Sequence, residues 1–314
     1  MKKLTGIILK VFVSIFFIFL VFKKVNFFEL TGIFKNVSIF TLIWMLTLNY
    51  LITFFVALRW YSVLDEFRRE ITFSNIWKLS VIGMFFNVLL PTGTGGDAVK
   101  ILYITRNHHQ KLKAATSVVF DRFIGSSTIV AMAIISLLSY EKNLPAKLKI
   151  MFASLLVLLL FVWLLIMWDR PAAVIGGIFP VKLRQKFVAF YNHLREYGIN
   201  SRILTRSICA SIAVQILSIY VQYLAASVVY QSDGMPVPFP LFFVFIPIIW
   251  LSAIVPSLGG LGIREYSYLF FFQPYLGKDA AIAMSIINLM LILSQALLGG
   301  LVFLFFRQGH RDSR

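Results

Sequence analysis

Charged side chains occur at three places inside otherwise apolar segments of this sequence. Two of the places follow a break made of proline and glycines, in NVLLPTGTGGDAVKIL and SAIVPSLGGLGIREYS, and the third lies within SVVFDRFIG. The side chains are Asp97, Lys100, Asp121, Arg122, Arg264 and Glu265. Basic groups bind anions such as phosphate, and carboxylates bind cations. Because charge inside an apolar segment is typical of a cavity or an internal pair, these residues are candidates for a binding site.

The two breaks supply backbone groups for such a site. Proline ends the incoming helix, and glycine lets the backbone turn sharply. A helix that begins after a break directs the positive end of its dipole and its free N–H groups at the cavity, where an anionic group binds well. The candidate residues here are Pro91, Gly95 and Gly96 in the first break and Pro256, Gly259, Gly260 and Gly262 in the second. The alternative is that the charges only pair with one another and hold helices together.

The segment GTGGDA also matches a dinucleotide-binding fingerprint, with an aspartate about 20 residues beyond it. That fingerprint requires a βαβ unit, whereas here it lies among apolar helices, so we exclude nucleotide binding. His108 and His109 lack the helical spacing of a ligand pair, and no set of catalytic residues stands out. We therefore expect no metal, no cofactor and no catalytic residue.

The composition indicates that membrane helices carry the candidate residues. Of the 314 residues, 59% are hydrophobic and 14% are charged, whereas soluble domains average about 45–50% and about 25%. Several apolar runs approach the roughly 20 residues that cross a bilayer as a helix, and the alternating segments of a β-barrel are absent from the sequence. The net charge of +17 lies mostly between these runs, which indicates loops near anionic lipid rather than nucleic-acid binding.

The fold class predicted from these runs is an all-α polytopic membrane protein. Six full spans are expected, near 5–22, 37–57, 114–139, 148–168, 207–229 and 280–306. The regions 76–105 and 239–275 contain the breaks, and the helical piece after each break is short. About nine residues of helix rise only about 14 Å, which is too little to cross the membrane. We therefore predict a re-entrant helical hairpin in each region.

The basic residues predict the orientation of the chain. With a cytoplasmic N terminus, the inside segments hold 18 Lys and Arg and the outside segments hold 6, in agreement with the positive-inside rule. The hairpins then enter from opposite faces, and 1–139 and 148–306 become inverted halves, an arrangement typical of transporters. Both termini are cytoplasmic in this topology, and residues 1–314 form a single membrane domain. Turning either hairpin into a full span would reverse everything that follows it.

Other polar residues are interpreted as structural. VKLRQKFVAFYNHLREYG, within 169–206, has the pattern of an amphipathic helix on anionic inner-leaflet lipid, the alternative being a solvated loop helix. Arg59 and Trp60 are interpreted as an anchor at the membrane interface, and Cys209 as a core thiol. Five amide side chains are expected mainly to bond between helices: Asn87, Gln215, Gln222, Asn288 and Gln295.

Four segments, in order along the chain, carry a family resemblance: LRWYSVL, NVLLPTGTGGDAVKILYITR, SVVFDRFIG and IVPSLGGLGIREYSYLFF. Over about residues 1–306 the chain resembles the transmembrane-domain family of lysylphosphatidylglycerol synthase/flippases, also described as a flippase-like domain. The resemblance implies a prokaryotic plasma-membrane protein with two re-entrant helices in inverted halves. It also implies a functional role for every candidate residue named above except Lys100 and Asp121.

In the family's bifunctional members, this domain moves aminoacylated phosphatidylglycerol to the outer leaflet, and a soluble aminoacyl-transferase domain follows it. This sequence ends at Arg314, shortly after the last expected span. We therefore expect a stand-alone member that lacks the synthase domain. Because the synthase domain is expected to be missing, the identity of the transported lipid stays open.

The leading hypothesis is a lipid translocase and not an enzyme. It would move a phospholipid, aminoacylated or not, or a lipid-linked headgroup, with Arg122 and Arg264 on the phosphate and Asp97 or Glu265 on a cationic headgroup. Two alternatives stay open: a membrane enzyme that uses the hairpin carboxylates, and a scaffold that recruits a separate cytoplasmic synthase through 169–206. The expected partners are the lipid substrate and anionic inner-leaflet lipids, with that synthase and a second copy of the chain as further candidates.

Overall fold

The fold is described by a computed structural model for residues 37–64, 71–90, 95–106, 111–139, 146–168, 180–230, 237–252 and 262–306. These residues form ten α-helices, and no strand occurs among them. The helices are α1 (Ile39–Val63), α2 (Phe73–Leu89), α3 (Gly95–Arg106), α4 (Lys111–Ser139), α5 (Ala146–Met167), α6 (Val181–Ile199), α7 (Ser201–Val229), α8 (Phe239–Ser252), α9 (Ile263–Leu276) and α10 (Lys278–Phe305). The predicted all-α class is confirmed for the described residues.

Five of the helices, α1, α4, α5, α7 and α10, are long and apolar enough to cross a membrane. They correspond to five of the six predicted spans, and the protein is a multi-pass membrane protein. The sixth predicted span, 5–22, lies outside the described residues. Helices α4 and α7 begin earlier than predicted, at Lys111 and Ser201, because polar first turns extend these helices beyond their apolar stretches.

The two predicted breaks each separate a pair of shorter helices. Helix α2 ends at Leu89 before α3 begins at Gly95, and α8 ends at Ser252 before α9 begins at Ile263. These four helices contain 12 to 17 residues and rise roughly 18–26 Å, less than the roughly 30 Å hydrocarbon core. The candidate residues Pro91, Pro256, Gly259 and Gly260 lie outside the described residues.

The packing of the helices repeats between the first half, α1 to α4, and the second half, α7 to α10. Within each half, the first helix packs on the second and the fourth, the second on the third, and the third on the fourth. Between the halves, the two first helices, α1 and α7, pack on each other. The second helix of each half packs on the fourth helix of the other half, in the pairs α2–α10 and α8–α4. The first helix of each half also packs on the fourth helix of the other half, in the pairs α1–α10 and α7–α4. Exchanging the halves therefore leaves this pattern of contacts unchanged.

The outer faces of the long helices are apolar, as contact with lipid tails requires. On α5, Leu158, Phe161 and Leu164 are all more than half exposed. Cys209 of α7 is also exposed, so the interpretation of this residue as a core thiol is wrong. Its apolar neighbours along the chain had indicated burial, but in a bilayer an apolar segment faces lipid as readily as protein.

Helix α6 is an amphipathic helix that packs by one face on α4, α5 and α7. The buried Tyr191 donates its hydroxyl to the carbonyl oxygens of Leu165 and Trp168 at the end of α5. Burial raises the pKa of the Tyr191 phenol. Arg184 and Lys186 are exposed, and their contact with anionic lipid remains a prediction.

Candidate functional site

A cavity of about 420 Å³ lies beside the first break. Its wall includes residues of α1, α2, α3 and α4 from the first half and of α7 and α8 from the second, so it lies where the halves meet. The charged residues of the wall are Arg59, Lys100, Asp121 and Arg122. Ser80, Asn87 and Gln215 are among its uncharged polar residues.

Arg59 and Asp121 form a buried ion pair in the wall. The Nε and Nη2 groups of Arg59 donate to the two carboxylate oxygens of Asp121 at 2.7 and 3.0 Å. The Nη1 group donates to the Ser211 hydroxyl at 3.2 Å, and both charged side chains are less than a tenth exposed. The interpretation of Arg59 as an interfacial anchor is therefore wrong, because its guanidinium lies inside the bundle and binds a carboxylate of another helix.

Arg122 and Asp97 form a second ion pair, at the edge of the cavity. Arg122 donates its Nε and Nη2 groups to the Asp97 carboxylate at 2.8 and 3.1 Å. Lys100 Nζ lies 3.8 Å from Asp97 Oδ1 and 4.9 Å from the centroid of the Trp60 ring. The side chain of Arg122 is 51% exposed, whereas that of Asp97 is 15% exposed. Arg122 therefore keeps part of its side chain accessible at the cavity.

The charges at the first break favour an anion. Three cations, Arg59, Lys100 and Arg122, face two carboxylates, Asp97 and Asp121. Counted as formal charges, the five groups leave one positive charge in excess, and each carboxylate accepts two hydrogen bonds from an arginine. Arginine binds phosphate with the same paired N–H geometry that it uses for carboxylate.

The start of α3 is held closely against α2. The Gly96 N–H donates to Asn87 Oδ1 at 2.8 Å, which satisfies one of the N–H groups that a helix start leaves free. A Cβ on Gly96 would overlap the carbonyl of Gly83, and one on Gly95 would lie 2.8 Å from the Phe86 carbonyl oxygen. Glycine at these two positions therefore permits the close packing of α3 on α2, and this packing places Lys100 at the cavity.

The second break has a different geometry at the start of α9. Gly262 has a φ of 85°, a conformation that favours glycine, and its N–H donates to Glu265 Oε2 at 2.5 Å. Glu265 thereby caps the first turn of α9. Within the described residues, neither Arg264 nor Glu265 belongs to the wall of the cavity. The structure therefore brings together Asp97, Lys100, Asp121 and Arg122, and it leaves the charged residues of the second break apart from them.

An uncharged network joins the corresponding helices of the second half. The Tyr268 hydroxyl of α9 donates to Gln222 Oε1 of α7 at 2.8 Å, and Gln222 Nε2 donates to Asn288 Oδ1 of α10 at 2.8 Å. Gln295 of α10 donates to the backbone carbonyl of Asn49 in α1 at 2.9 Å. The predicted interhelical bonds of Gln222, Asn288 and Gln295 are thus present. Asn87 and Gln215 also bond between helices, to Gly96 and Gly125, and both line the cavity.

The chain was also compared with known families and proteins. No curated protein matches it. The family model described as the lysylphosphatidylglycerol synthase TM region matches residues 7–305, a range that contains both breaks and every charged residue of the cavity. The resemblance carried by the four segments is therefore confirmed, and the chain belongs to the lysylphosphatidylglycerol synthase TM-region family.

Proposed function

We propose that this protein is a lipid translocase, which moves a phospholipid or a lipid-linked headgroup between the leaflets of the membrane. The observation that carries the proposal is the cavity with an excess positive charge among membrane helices. A lipid phosphate that enters the cavity meets Arg122 and Lys100, while the acyl chains stay in the bilayer. Binding the phosphate inside the bundle lowers the cost of moving a charged headgroup through the hydrocarbon core.

The state of the carboxylates supports transport over catalysis. An enzyme that used Asp97 or Asp121 as general base would need the carboxylate directed at the substrate. Each carboxylate is instead bound by an arginine, which donates one hydrogen bond to each of its oxygens. These residues therefore orient the basic side chains, and the basic side chains contact the substrate.

The proposed architecture has six full spans and two re-entrant hairpins that enter from opposite faces, with 1–139 and 148–306 as inverted halves of one domain. The exchangeable packing of the two halves supports this arrangement. Rocking of one half against the other would then expose the cavity to each leaflet in turn. The bias of basic residues supports cytoplasmic termini, with α6 on the inner leaflet of a prokaryotic plasma membrane.

Leaflet exchange in vesicles tests the proposal. The purified full-length protein is reconstituted with phosphatidylcholine, phosphatidylglycerol and a fluorescent phosphatidylglycerol, and exchange is followed by chemical quenching of the outer leaflet. We expect exchange well above that of empty vesicles, and a reduction of about tenfold in Arg122→Gln because a charge-assisted phosphate contact is lost. Arg202→Gln, at an exposed arginine of α7, is the matched control and should exchange as the unmodified protein does. Exchange equal to that of empty vesicles, or equal in Arg122→Gln and the unmodified protein, would contradict the proposal.

A second candidate function is a scaffold for a cytoplasmic synthase. The exposed Arg184 and Lys186 on the docked helix α6 favour it, because a rigid basic face binds an acidic partner. In this case Arg184→Gln with Lys186→Gln would abolish co-purification of a synthase, and Arg122→Gln would not. Co-purification that survives the loss of both charges would exclude this role for α6.

A further inference from the structure

The wall of the cavity contains two polar atoms that the rest of the described protein leaves without a hydrogen bond. They are the hydroxyl oxygen of Ser80 and the amide oxygen Oε1 of Gln215. Both residues line the cavity, and their relative exposures are 1% and 4%. Since buried polar groups in proteins nearly always have a partner, each of these atoms calls for an explanation.

The amide oxygen of Gln215 needs a hydrogen-bond donor, because the orientation of the amide group is set by its nitrogen. Its Nε2 group faces the carbonyl oxygen of Gly125 at 3.5 Å, which assigns the opposite side of the amide to the oxygen. Gly125 follows Arg122 by three residues on α4, so it lies on the same face of that helix, one turn further along. Gln215 therefore packs against the part of α4 that carries Arg122, and both residues line the same cavity.

Ser80 lies on α2, in the part of the wall that this helix contributes. Ser80, Gly83 and Asn87 recur at the spacing of one face of α2, and Gly83 and Asn87 are both wall residues. The position of a Cβ on Gly83 is 3.3 Å from Cε of Lys100. Ser80 is thus one helical turn from Gly83, where a Cβ would lie against the Lys100 side chain.

A neutral donor suits these two atoms better than a charged one. An ammonium group would also satisfy Gln215, but it would enter a cavity with an excess positive charge. Asp97 and Asp121, the carboxylates that could attract it, are both held by arginines. A hydroxyl group supplies a donor to Gln215 and both a donor and an acceptor to Ser80 without adding a charge.

We infer that the headgroup recognised by the cavity is a phosphodiester that carries free hydroxyl groups, as glycerol or a sugar does, and not an aminoacylated, cationic headgroup. The inference rests on the proposed function, since it assigns the phosphate to the same cavity. Arg122 and Lys100 contact the phosphate, and Gln215 and Ser80 contact the hydroxyl groups beyond it.

Two lipids of equal charge test this inference. Phosphatidylglycerol and phosphatidylethanol are both monoanionic phosphodiesters, but only phosphatidylglycerol has headgroup hydroxyls. We expect short-chain phosphatidylglycerol to bind the full-length protein in phosphatidylcholine nanodiscs about tenfold more tightly than phosphatidylethanol does, which is the worth of one to two hydrogen bonds. Lysyl-phosphatidylglycerol should bind more weakly than either. Equal binding of phosphatidylglycerol and phosphatidylethanol, or tightest binding of the lysyl lipid, would overturn the inference.

Variants assign the preference to the two residues. Gln215→Leu and Ser80→Ala should each lower phosphatidylglycerol binding toward the level of phosphatidylethanol and leave phosphatidylethanol unchanged, whereas Arg122→Gln should weaken both lipids. Ser80→Ala alone decides the test if Gln215→Leu does not fold. A preference that survives in both variants would overturn the assignment. Glycerol phosphate in solution tests the source of the headgroup, since competition equal to that of the lipid would overturn recognition of a lipid.

Binding and leaflet exchange separate the two proposals. A preference for hydroxyl groups without leaflet exchange would sustain the inference and contradict the translocase. Exchange of phosphatidylglycerol and phosphatidylethanol at the same rate and with the same affinity would sustain the translocase and contradict the inference about hydroxyl groups.

Discussion

Asp121 and Arg122 are adjacent in the chain, yet each pairs with a residue of a different helix. Asp121 binds Arg59 of α1, and Arg122 binds Asp97 of α3. Consecutive side chains on a helix diverge by about 100°, so these neighbours cannot pair with one another and point to separate partners. Two consecutive residues of α4 thereby join α1 and α3 at the cavity.

The buried pair should be costly to break and easy to replace. We expect Asp121→Asn to destabilise the protein by about 3–5 kcal/mol, because the Arg59 guanidinium keeps its charge without a carboxylate. Arg59→Met combined with Asp121→Leu should recover most of that loss, since the pair is then replaced by apolar side chains. Unfolding of the purified protein in detergent measures both. Glu196→Gln, at the half-exposed partner of Lys113, is the control and should cost about 1 kcal/mol or less. No recovery in the double variant would contradict this prediction.

The contact between α2 and α3 should depend on Gly96. Gly96→Ala places a methyl group against the Gly83 carbonyl, and we expect a cost of about 1–3 kcal/mol as the helices separate. Leaflet exchange should also fall, because Lys100 moves with α3. Thermal unfolding and the vesicle assay check the two effects. Ala98→Ser, an exposed position on the same helix, should change neither, and an unchanged Gly96→Ala protein would refute the close approach.

Two serine substitutions should have opposite effects on stability. Ser80→Ala removes a buried hydroxyl that has no partner, so the lipid-free protein should keep its stability or gain about 1 kcal/mol. Ser117→Ala removes the acceptor of the Trp60 indole N–H, at 3.3 Å, and should cost about 1–2 kcal/mol. The prediction is checked by measuring the unfolding midpoints of both variants and the unmodified protein side by side in lipid-free detergent. Equal destabilisation by both would mean that Ser80 has a partner in the folded protein.

The junction between α6 and α7 should depend on a helix cap. Asn200 Oδ1 accepts hydrogen bonds from the N–H groups of Arg202 and Ile203 at 3.1 and 3.2 Å. We expect Asn200→Ala to cost about 1 kcal/mol and Asn200→Asp to be nearly neutral, because aspartate is an equally good cap. Detergent unfolding compares the three proteins. A loss of the same size in Asn200→Asp would exclude capping as the cause.

Cysteine labelling tests the proposed orientation. The chain has one cysteine, so Cys209→Ser gives a background without thiols. On that background, Gln273→Cys and Arg184→Cys are exposed positions that the topology assigns to opposite sides. We expect a membrane-impermeant maleimide to label Gln273→Cys on intact spheroplasts and to label Arg184→Cys only after permeabilisation. Labelling of both from the same side would contradict the opposed hairpins.

The long helices could be predicted because the bilayer leaves few alternatives. A chain inside hydrocarbon must satisfy its backbone by forming helices, so apolar length alone located α1, α4, α5, α7 and α10. Proline and glycine located the interruption between α2 and α3 for a similarly local reason. The ends of α4 and α7 could not be placed as well, because their polar first turns lie beyond the apolar stretch.

The partners of the charges could not be predicted, because pairing depends on which helices meet. Arg59 is the clearest example. Its position next to Trp60 indicated the membrane interface, yet it lies 62 residues from its partner Asp121. One signal was available in the sequence: an aspartate inside a span requires a cation from another helix, and Arg59 lies two residues beyond the end of the predicted span 37–57. Gln215 was predicted to bond between helices and does so through Nε2, but nothing local indicated that its oxygen would lack a partner among the described residues.

The matching contacts of the two halves have an energetic consequence. If two halves of a transporter were chemically identical, exchanging their conformations would turn the inward-facing state into the outward-facing state at no cost, and both states would be equally populated. Here α1, α3 and α4 are joined by ion pairs, whereas α7, α9 and α10 are joined by Tyr268, Gln222 and Asn288. Because straining an ion pair and straining a neutral hydrogen bond cost different free energies, the two orientations would not be equal in free energy. If the protein alternates between two orientations as proposed, the unliganded protein would favour one of them, and a bound headgroup would have to supply the free energy that populates the other.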